Sequence, residues 1–150
     1  MDRKIKFRGK SLTTGEWLYG TYYIQRWQPY PIRSKNSPQQ ETESHYIVSD
    51  TGFADWGMCR TIETVVDPKT VGQFVGRKDK HGKEIYEDDI RIGHFYCADS
   101  PKEYTIYNLM KWDENNMCFY WEGQKMEDWM DDGIIGNIWD NPELLKEETK

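Results

Sequence analysis

Cysteine is scarce in this chain, and its three copies are poorly placed for any use that needs pairs. Cys59, Cys97 and Cys118 are odd in number and far apart. That spacing argues against a disulfide framework and against the Cys-x-x-Cys pairing of a zinc site, so free thiols, buried or half-buried, are expected. Long apolar runs are missing as well. No stretch of about eighteen apolar residues is available to cross a membrane, and no charged start leads into an apolar core with a small-residue cleavage site. The expectation is a soluble protein of the cytoplasm. His45, His81 and His94 are scattered, with no His-x-x-x-His pair and no Glu placed beside one as a base. No serine sits in a Gly-x-Ser-x-Gly context, and the glycines of V-G-Q-F-V-G lack the lysine and spacing of a phosphate loop. These absences leave no enzyme class above background, and no catalytic residue, metal or cofactor is expected.

Rings are what the chain has in plenty. Trp 7, Tyr 10 and Phe 5 make 15% of 150 residues aromatic, while hydrophobic content as a whole is 37%. A few large side chains must then supply much of the core, and rings favour strands. The length allows one ordinary domain or two very small ones.

The run from Val66 to Ile90 is the most legible segment. Val71, Phe74, Val75, Ile85 and Tyr86 flank the polar stretch Arg77 to Lys83, which carries Asp79 and Gly82. Asp can bond its own backbone two residues on, and Gly accepts a positive φ. Asp79-Lys80-His81-Gly82 is therefore predicted as a hairpin tip, a type I turn closed by a left-handed glycine. Glu87-Asp88-Asp89 follows as an acidic corner.

Upstream, Ile5 to Arg8 and Trp17 to Ile24, joined by a Thr13-Thr14-Gly15 turn, predict an N-terminal β-hairpin. Residues 28–44 hold Pro29, Pro31 and Pro38 among polar residues and predict a loop or insertion. Strands are expected at His45 to Val48 and Met58 to Val66, separated by a turn around Asp50-Thr51-Gly52. A boundary before Pro68 would divide an N-terminal β subdomain, 1–67, from a C-terminal one, 68–150. The second holds expected strands near Thr70 to Val75, Glu84 to Tyr86, Ile90 to Tyr96, Glu103 to Trp112, Met117 to Trp121 and Ile134 to Trp139. Short strands with close turns point to a small closed or nearly closed barrel, because closure removes exposed edges. Asn141 is placed to cap a short terminal helix opened by Pro142 and docked by Leu144 and Leu145.

Four blocks stand out: I-K-F-R-G-K with G-E-W-L-Y-G between Ile5 and Gly20, T-V-G-Q-F-V-G from Thr70, D-K-H-G-K-E-I-Y-E-D-D-I from Asp79, and I-G-N-I-W-D-N-P-E-L-L from Ile135. They resemble the signature blocks of the YopX-like proteins of bacteriophages and prophages. The resemblance runs from end to end and is weakest over Gln25 to Thr64. It implies a phage-associated, mainly β protein of unassigned activity, and favours an SH3-like shape for the C-terminal barrel. The family pattern reads E-G-D-I at the acidic corner, where this chain has Asp88 in the glycine place.

Charge is unevenly spread around a net −6. Residues 1–40 carry 8 Lys/Arg against 2 Asp/Glu, net +6, and residues 114–150 carry 3 against 10, net −7. The acidic total disfavours nonspecific nucleic-acid binding, which depends on neutralising phosphates. Glu87, Asp88 and Asp89 favour a structural corner over a metal site, since adjacent strand residues point to opposite faces. Glu127, Asp128, Asp131 and Asp132 favour a solvated loop or helix.

Trp17, Tyr19, Tyr22, Tyr23, Trp27 and Tyr30 lie among Arg8, Lys10, Arg26 and Arg33, a mixture that suits stacking on bases as well as packing in a core. The candidate contact residues are Arg26, Trp27, Tyr30, Arg33, Arg77 and His81. The leading expectation is an all-β phage or prophage accessory protein that self-associates and acts as an interaction module on a host or phage protein. A single-stranded nucleic-acid binder is the alternative, and a metal-dependent hydrolase is the least favoured.

Overall fold

Period-two alternation and abundant rings give antiparallel strands throughout the described residues, 4–27, 42–53, 59–96, 103–123 and 131–146 of a computed structural model. The chain divides into two compact units, one formed by Ile5–Val71 and one carried by the chain from Gly72 onward. Among the described residues, no helix is long and apolar enough to cross a membrane.

The first unit is a meander of β1 (Phe7–Lys10), β2 (Trp17–Trp27), β3 (Thr42–Phe53) and β4 (Cys59–Val65), each antiparallel to the next. The β1–β2 turn falls where Thr13-Thr14-Gly15 placed it. Ser11 Oγ accepts the amides of Thr13 and Thr14 at 3.2 and 3.1 Å, and Gly15 takes φ 73. Ile47 and Val66 are fully buried. At Gly20 a Cβ would stand 1.9 Å from the Val48 carbonyl oxygen, so β2 and β3 approach as only bare backbone permits.

Three expectations need correction in this unit. β2 runs past Ile24 because Gln25, Arg26 and Trp27 pair with Ser44, Glu43 and Thr42, residues assigned from sequence to the proline-containing loop. β3 continues through Asp50-Thr51-Gly52 to Phe53, absorbing them in a register irregularity instead of a turn. Thr70 belongs to a 3-10 turn, Pro68–Thr70, and not to a strand. Pro68 fits a first helical turn, Asp67 Oδ1 accepts the Lys69 amide at 3.0 Å, and Thr70 Oγ1 accepts the Lys10 amide at 2.8 Å.

The second unit holds a hairpin, β5 (Gly72–Lys78) with β6 (Glu84–Tyr86), and a sheet of β7 (Asp89–Tyr96), β8 (Glu103–Asp113), β9 (Cys118–Glu122) and β10 (Asp131–Asn137). The sheet order is β10-β7-β8-β9. The mainly β class is as expected, but no barrel closes. The sheet ends at β9 and β10 among the described residues, and the β5–β6 hairpin pairs Phe74 with Tyr86 and Lys78 with Glu84 across a register shift. Among the described residues of this unit, Phe74, Ile85, Tyr86, Ile90, Ile106, Leu109 and Met110 are the buried apolar ones.

Polar side chains hold its corners. Asp89, 1% exposed, accepts the Tyr86 amide at 2.7 Å. Asp88 adopts φ 66, the angle for which the family pattern has glycine. Buried Asn137 accepts the amides of Trp139 and Asp140 through Oδ1, both at 3.0 Å, and donates from Nδ2 to Asp140 Oδ2 at 2.9 Å. The expected terminal helix is a 3-10 turn, Pro142–Leu145, which Asn141 does not cap through its side chain. The Asn141 carboxamide oxygen instead fills the space beside Gly136, 2.3 Å from where a Cβ there would lie.

Candidate functional site

β9 lies on the outside of its sheet, and a groove of about 310 Å³ opens beside it. The β8–β9 register pairs Met110 with Trp121 and Trp112 with Phe119, which puts these four on one sheet face. All four line the groove, and Val75 and Arg77 of β5 line it from the hairpin. Trp112 and Phe119 meet edge to face at 4.9 Å. The Arg91 guanidinium lies 4.4 Å from the Trp121 ring centroid and reaches Asp131 at 3.3 Å.

The β8–β9 turn brings Met117 to the same groove. Asp113 Oδ1 accepts the amides of Asn115 and Asn116 at 2.8 and 3.2 Å, and Asn116 Nδ2 donates to Oδ2 at 2.7 Å. The Asn116 side chain first, then these amides, hold the Asp113 carboxyl below the usual carboxylate range against a small opposing effect of burial. Met117 follows at φ 52, a left-handed angle that a residue with a side chain rarely adopts, and is 73% exposed. Cys118 is a free thiol, as expected, but it is exposed and lines the groove where a buried or half-buried one was expected. The Cys59 side chain and Cys97 lie outside the described residues.

The hairpin tip forms as its sequence predicts. Asp79 Oδ1 accepts the amides of His81 and Lys83 at 2.9 and 2.8 Å, and Gly82 takes φ 83. It then fastens to β10: Asp79 Oδ2 accepts the Ile134 amide at 3.1 Å, and His81 Nε2 donates to the Asp132 carbonyl at 3.0 Å. Asp132 is shared by Lys80 at 2.9 Å and His94 Nδ1 at 2.5 Å. Hydrogen bonds from His94 and then Lys80 hold the Asp132 carboxyl below its ordinary value. At Asp79 burial acts upward, but the three amides and the nearby His81 outweigh it, and the net shift is downward. His81 and the acidic group at 131–132 are thus brought together as a clasp between hairpin and sheet; Glu127 and Asp128 lie outside the described residues. Among the described residues no group of three or more His, Cys, Asp and Glu side chains is placed to hold a metal.

The first unit carries a second ring-rich surface. Pairing of Arg8 with Tyr19, Lys10 with Trp17 and Tyr23 with Tyr46 puts Trp17, Tyr19, Tyr23 and Trp27 on one face of β2, beside the basic residues of β1. Lys6 lies 5.5 Å from the Tyr19 ring centroid, while Arg8 and Lys10 lie 4.8 and 5.5 Å from that of Trp17. Tyr23 stacks on Tyr46 at 5.1 Å. Alternation sends Tyr22 and Arg26 to the opposite face, where Arg26 pairs with Glu43 at 2.6 Å. The structure therefore separates Arg26 from Trp27. Tyr30 and Arg33 lie outside the described residues.

A family model for YopX, described as YopX protein, matches residues 6–146. The chain belongs to the YopX family. No curated protein matches it. Among solved structures it is similar to protein EF1440 from Enterococcus faecalis, at 19% identity over 96% of this chain and 99% of that one, with a TM-score of 0.48. In this YopX protein two of the recognisable blocks lie on β1, β2 and β5, and the other two carry the hairpin tip, the turn at Asp88 and the Asn137 turn. The groove rings of β8 and β9 belong to none of those blocks. Their alternation marked a shared face in the sequence, but nothing there placed Arg77 beside them.

Proposed function

We propose that this YopX protein is a cytoplasmic accessory protein of a phage or prophage that acts as a protein-interaction module. The groove along β9 carries the reading. An edge strand offers backbone donors and acceptors to an added strand, and pockets beside it select side chains. The occupant we assign is an extended segment of a partner protein, paired along Cys118–Glu122. Its apolar side chains lie on Trp112, Phe119 and Trp121, and a carboxylate meets exposed Arg77. The left-handed Met117 at the turn into β9 supports this, since such angles concentrate at ligand-contacting positions.

The test is an affinity pulldown of the tagged protein from host lysate, with nuclease and at two salt concentrations, run beside Arg77→Glu. A partner that survives nuclease and salt, is lost with Arg77→Glu, and slows alkylation of Cys118 in the purified complex supports the reading. Retention by Arg77→Glu, or loss on nuclease treatment, counts against it. A concentration-dependent dimer that alone protects Cys118 would replace the partner segment with a second copy of this chain.

A further inference from the structure

We propose that the tip of the β5–β6 hairpin is a hinged strap: it turns on Gly76, latches on β10, and when latched sets Arg77 at the β9 groove. The consequence for a partner rests on the groove reading above, while hinge and latch are properties of the chain alone.

The hairpin is held by different forces at its two ends. Its base is apolar: Phe74, Ile85 and Tyr86 are buried, and the Phe74 and Tyr86 rings meet at 5.6 Å. From Gly76 to Glu84 no residue is buried. This stretch is fastened to β10 through polar contacts at the tip. Asp79 accepts the Ile134 amide, His81 and Lys80 donate to the carbonyl and carboxylate of Asp132, and Lys83 Nζ reaches the Ile134 carbonyl at 3.4 Å. Water competes for each of these groups, so each holds weakly beside the buried base. The tip can therefore leave β10 in a local opening that keeps the base folded.

The junction between the two ends is built to turn. Gly76 follows the buried Phe74 by two residues, takes φ 86, and lies where β5 and β6 shift register; a Cβ there would meet nothing within 4 Å. A glycine in open space can change its backbone angles without a clash. The seat on β10 is shaped for the tip. Gly133 takes φ 100, and a Cβ on it would lie 2.9 Å from His81 Cδ2 and 3.1 Å from Asp79 Oδ2, so the tip rests on bare backbone. His94 Nδ1 of β7 meets the Asp132 carboxylate at 2.5 Å and braces it for Lys80. Arg77 is the residue directly after the hinge and lines the groove, so a turn at Gly76 carries its guanidinium away with the tip.

Residue-resolved hydrogen exchange of the full chain and the reactivity of Cys118 test the strap without a partner. The amides of His81, Lys83 and Ile134, all bonded to Asp79, are expected to exchange together and faster than those of Tyr86 and Glu87 at the base. His81→Ala should quicken exchange at Ile134 about five-fold, and Asp132→Asn about three-fold, with Tyr86 unchanged. Both variants keep Asp79 and Gly82, which form the turn. The place of Arg77 is read from the alkylation rate of Cys118 by anionic iodoacetate divided by that with neutral iodoacetamide, followed on the Cys118 peptide by mass spectrometry. Arg77→Gln should lower this ratio about two-fold. His81→Ala should lower it as well, and so should Gly76→Ala, which changes no charge and disfavours the positive φ of the latched form. Exchange at Ile134 that is no faster in His81→Ala, or that quickens equally at Tyr86, would overturn the strap. A ratio that ignores Arg77→Gln, or one that falls with Arg77→Gln but not with His81→Ala, would overturn its link to the groove. None of these results depends on a captured partner, so a failed pulldown leaves the strap standing and a failed strap leaves the pulldown to be judged on its own.

Discussion

The two units present rings to solvent by different routes. In the first, register does the positioning: seven consecutive pairs join β2 to β3 without a shift, so alternate residues stand in line on a regular face. In the second, the β8–β9 register lines up the groove rings, and corners add the rest of the surface. β10 shifts register twice against β7, and Asp79, Asp89, Asp113 and Asn137 bond backbone amides where the chain turns. Regular pairing lines rings up along one strand face, whereas capped corners shape a groove between strand and hairpin. Backbone proximity should therefore be the weak point of the first unit, and single polar groups that of the second.

The largest effect is expected from Gly20→Ala. The added Cβ would lie 1.9 Å from the Val48 carbonyl oxygen and 2.8 Å from its carbon, both backbone atoms of the paired strand. No rotamer change relieves such a clash, so β2 and β3 must separate or shift. A loss of about 3 kcal/mol or more is expected, at or beyond the upper end of ordinary overpacking. Urea denaturation followed by tryptophan fluorescence measures it, and a midpoint unchanged from the parent would mean that the close approach is not what holds the register.

Asn137→Ala is the matching break in the second unit. It leaves the amides of Trp139 and Asp140 without their acceptor and removes a donor from Asp140, at a residue 8% exposed. A loss of about 2 kcal/mol follows from unsatisfied buried groups. Hydrogen exchange should quicken first at residues 137–141. If it quickened equally across β2 and β3, the distinction between corner-held and register-held units would fail.

How much of this was legible in the sequence follows the same divide. Local chemistry was readable: Asp79 to Gly82 as a turn, Thr13 to Gly15 as a turn, and alternating rings as strands. Pairing between distant segments was not. Gln25, Arg26 and Trp27 carry no apolar alternation of their own and are strand because Thr42, Glu43 and Ser44 pair with them. The clasp between His81 and Asp132 spans 51 residues, and Arg77 meets the β9 rings from a similar distance along the chain. Parity along β2 could have separated Arg26 from Trp27, since it required only counting by twos from Trp17.

The smallest effect sharpens the comparison at a single backbone angle. Asp88 sits at φ 66 where the family pattern has glycine, with its amide donating to the Met110 carbonyl at 2.9 Å and its carbonyl accepting the Ile138 amide at 3.1 Å. The left-handed angle costs an L-residue about 1–2 kcal/mol, and aspartate bears it better than most because its short side chain can bond locally. Glycine would remove that strain but add about 0.5–1 kcal/mol of chain entropy lost on folding. Asp88→Gly should accordingly stabilise the second unit by about 0.5 kcal/mol, read as a small rise in denaturation midpoint with an unchanged slope. A clear drop instead would mean that the Asp88 carboxylate contributes more to the corner than its backbone angle costs, and that this chain replaced a conformational solution with a polar one.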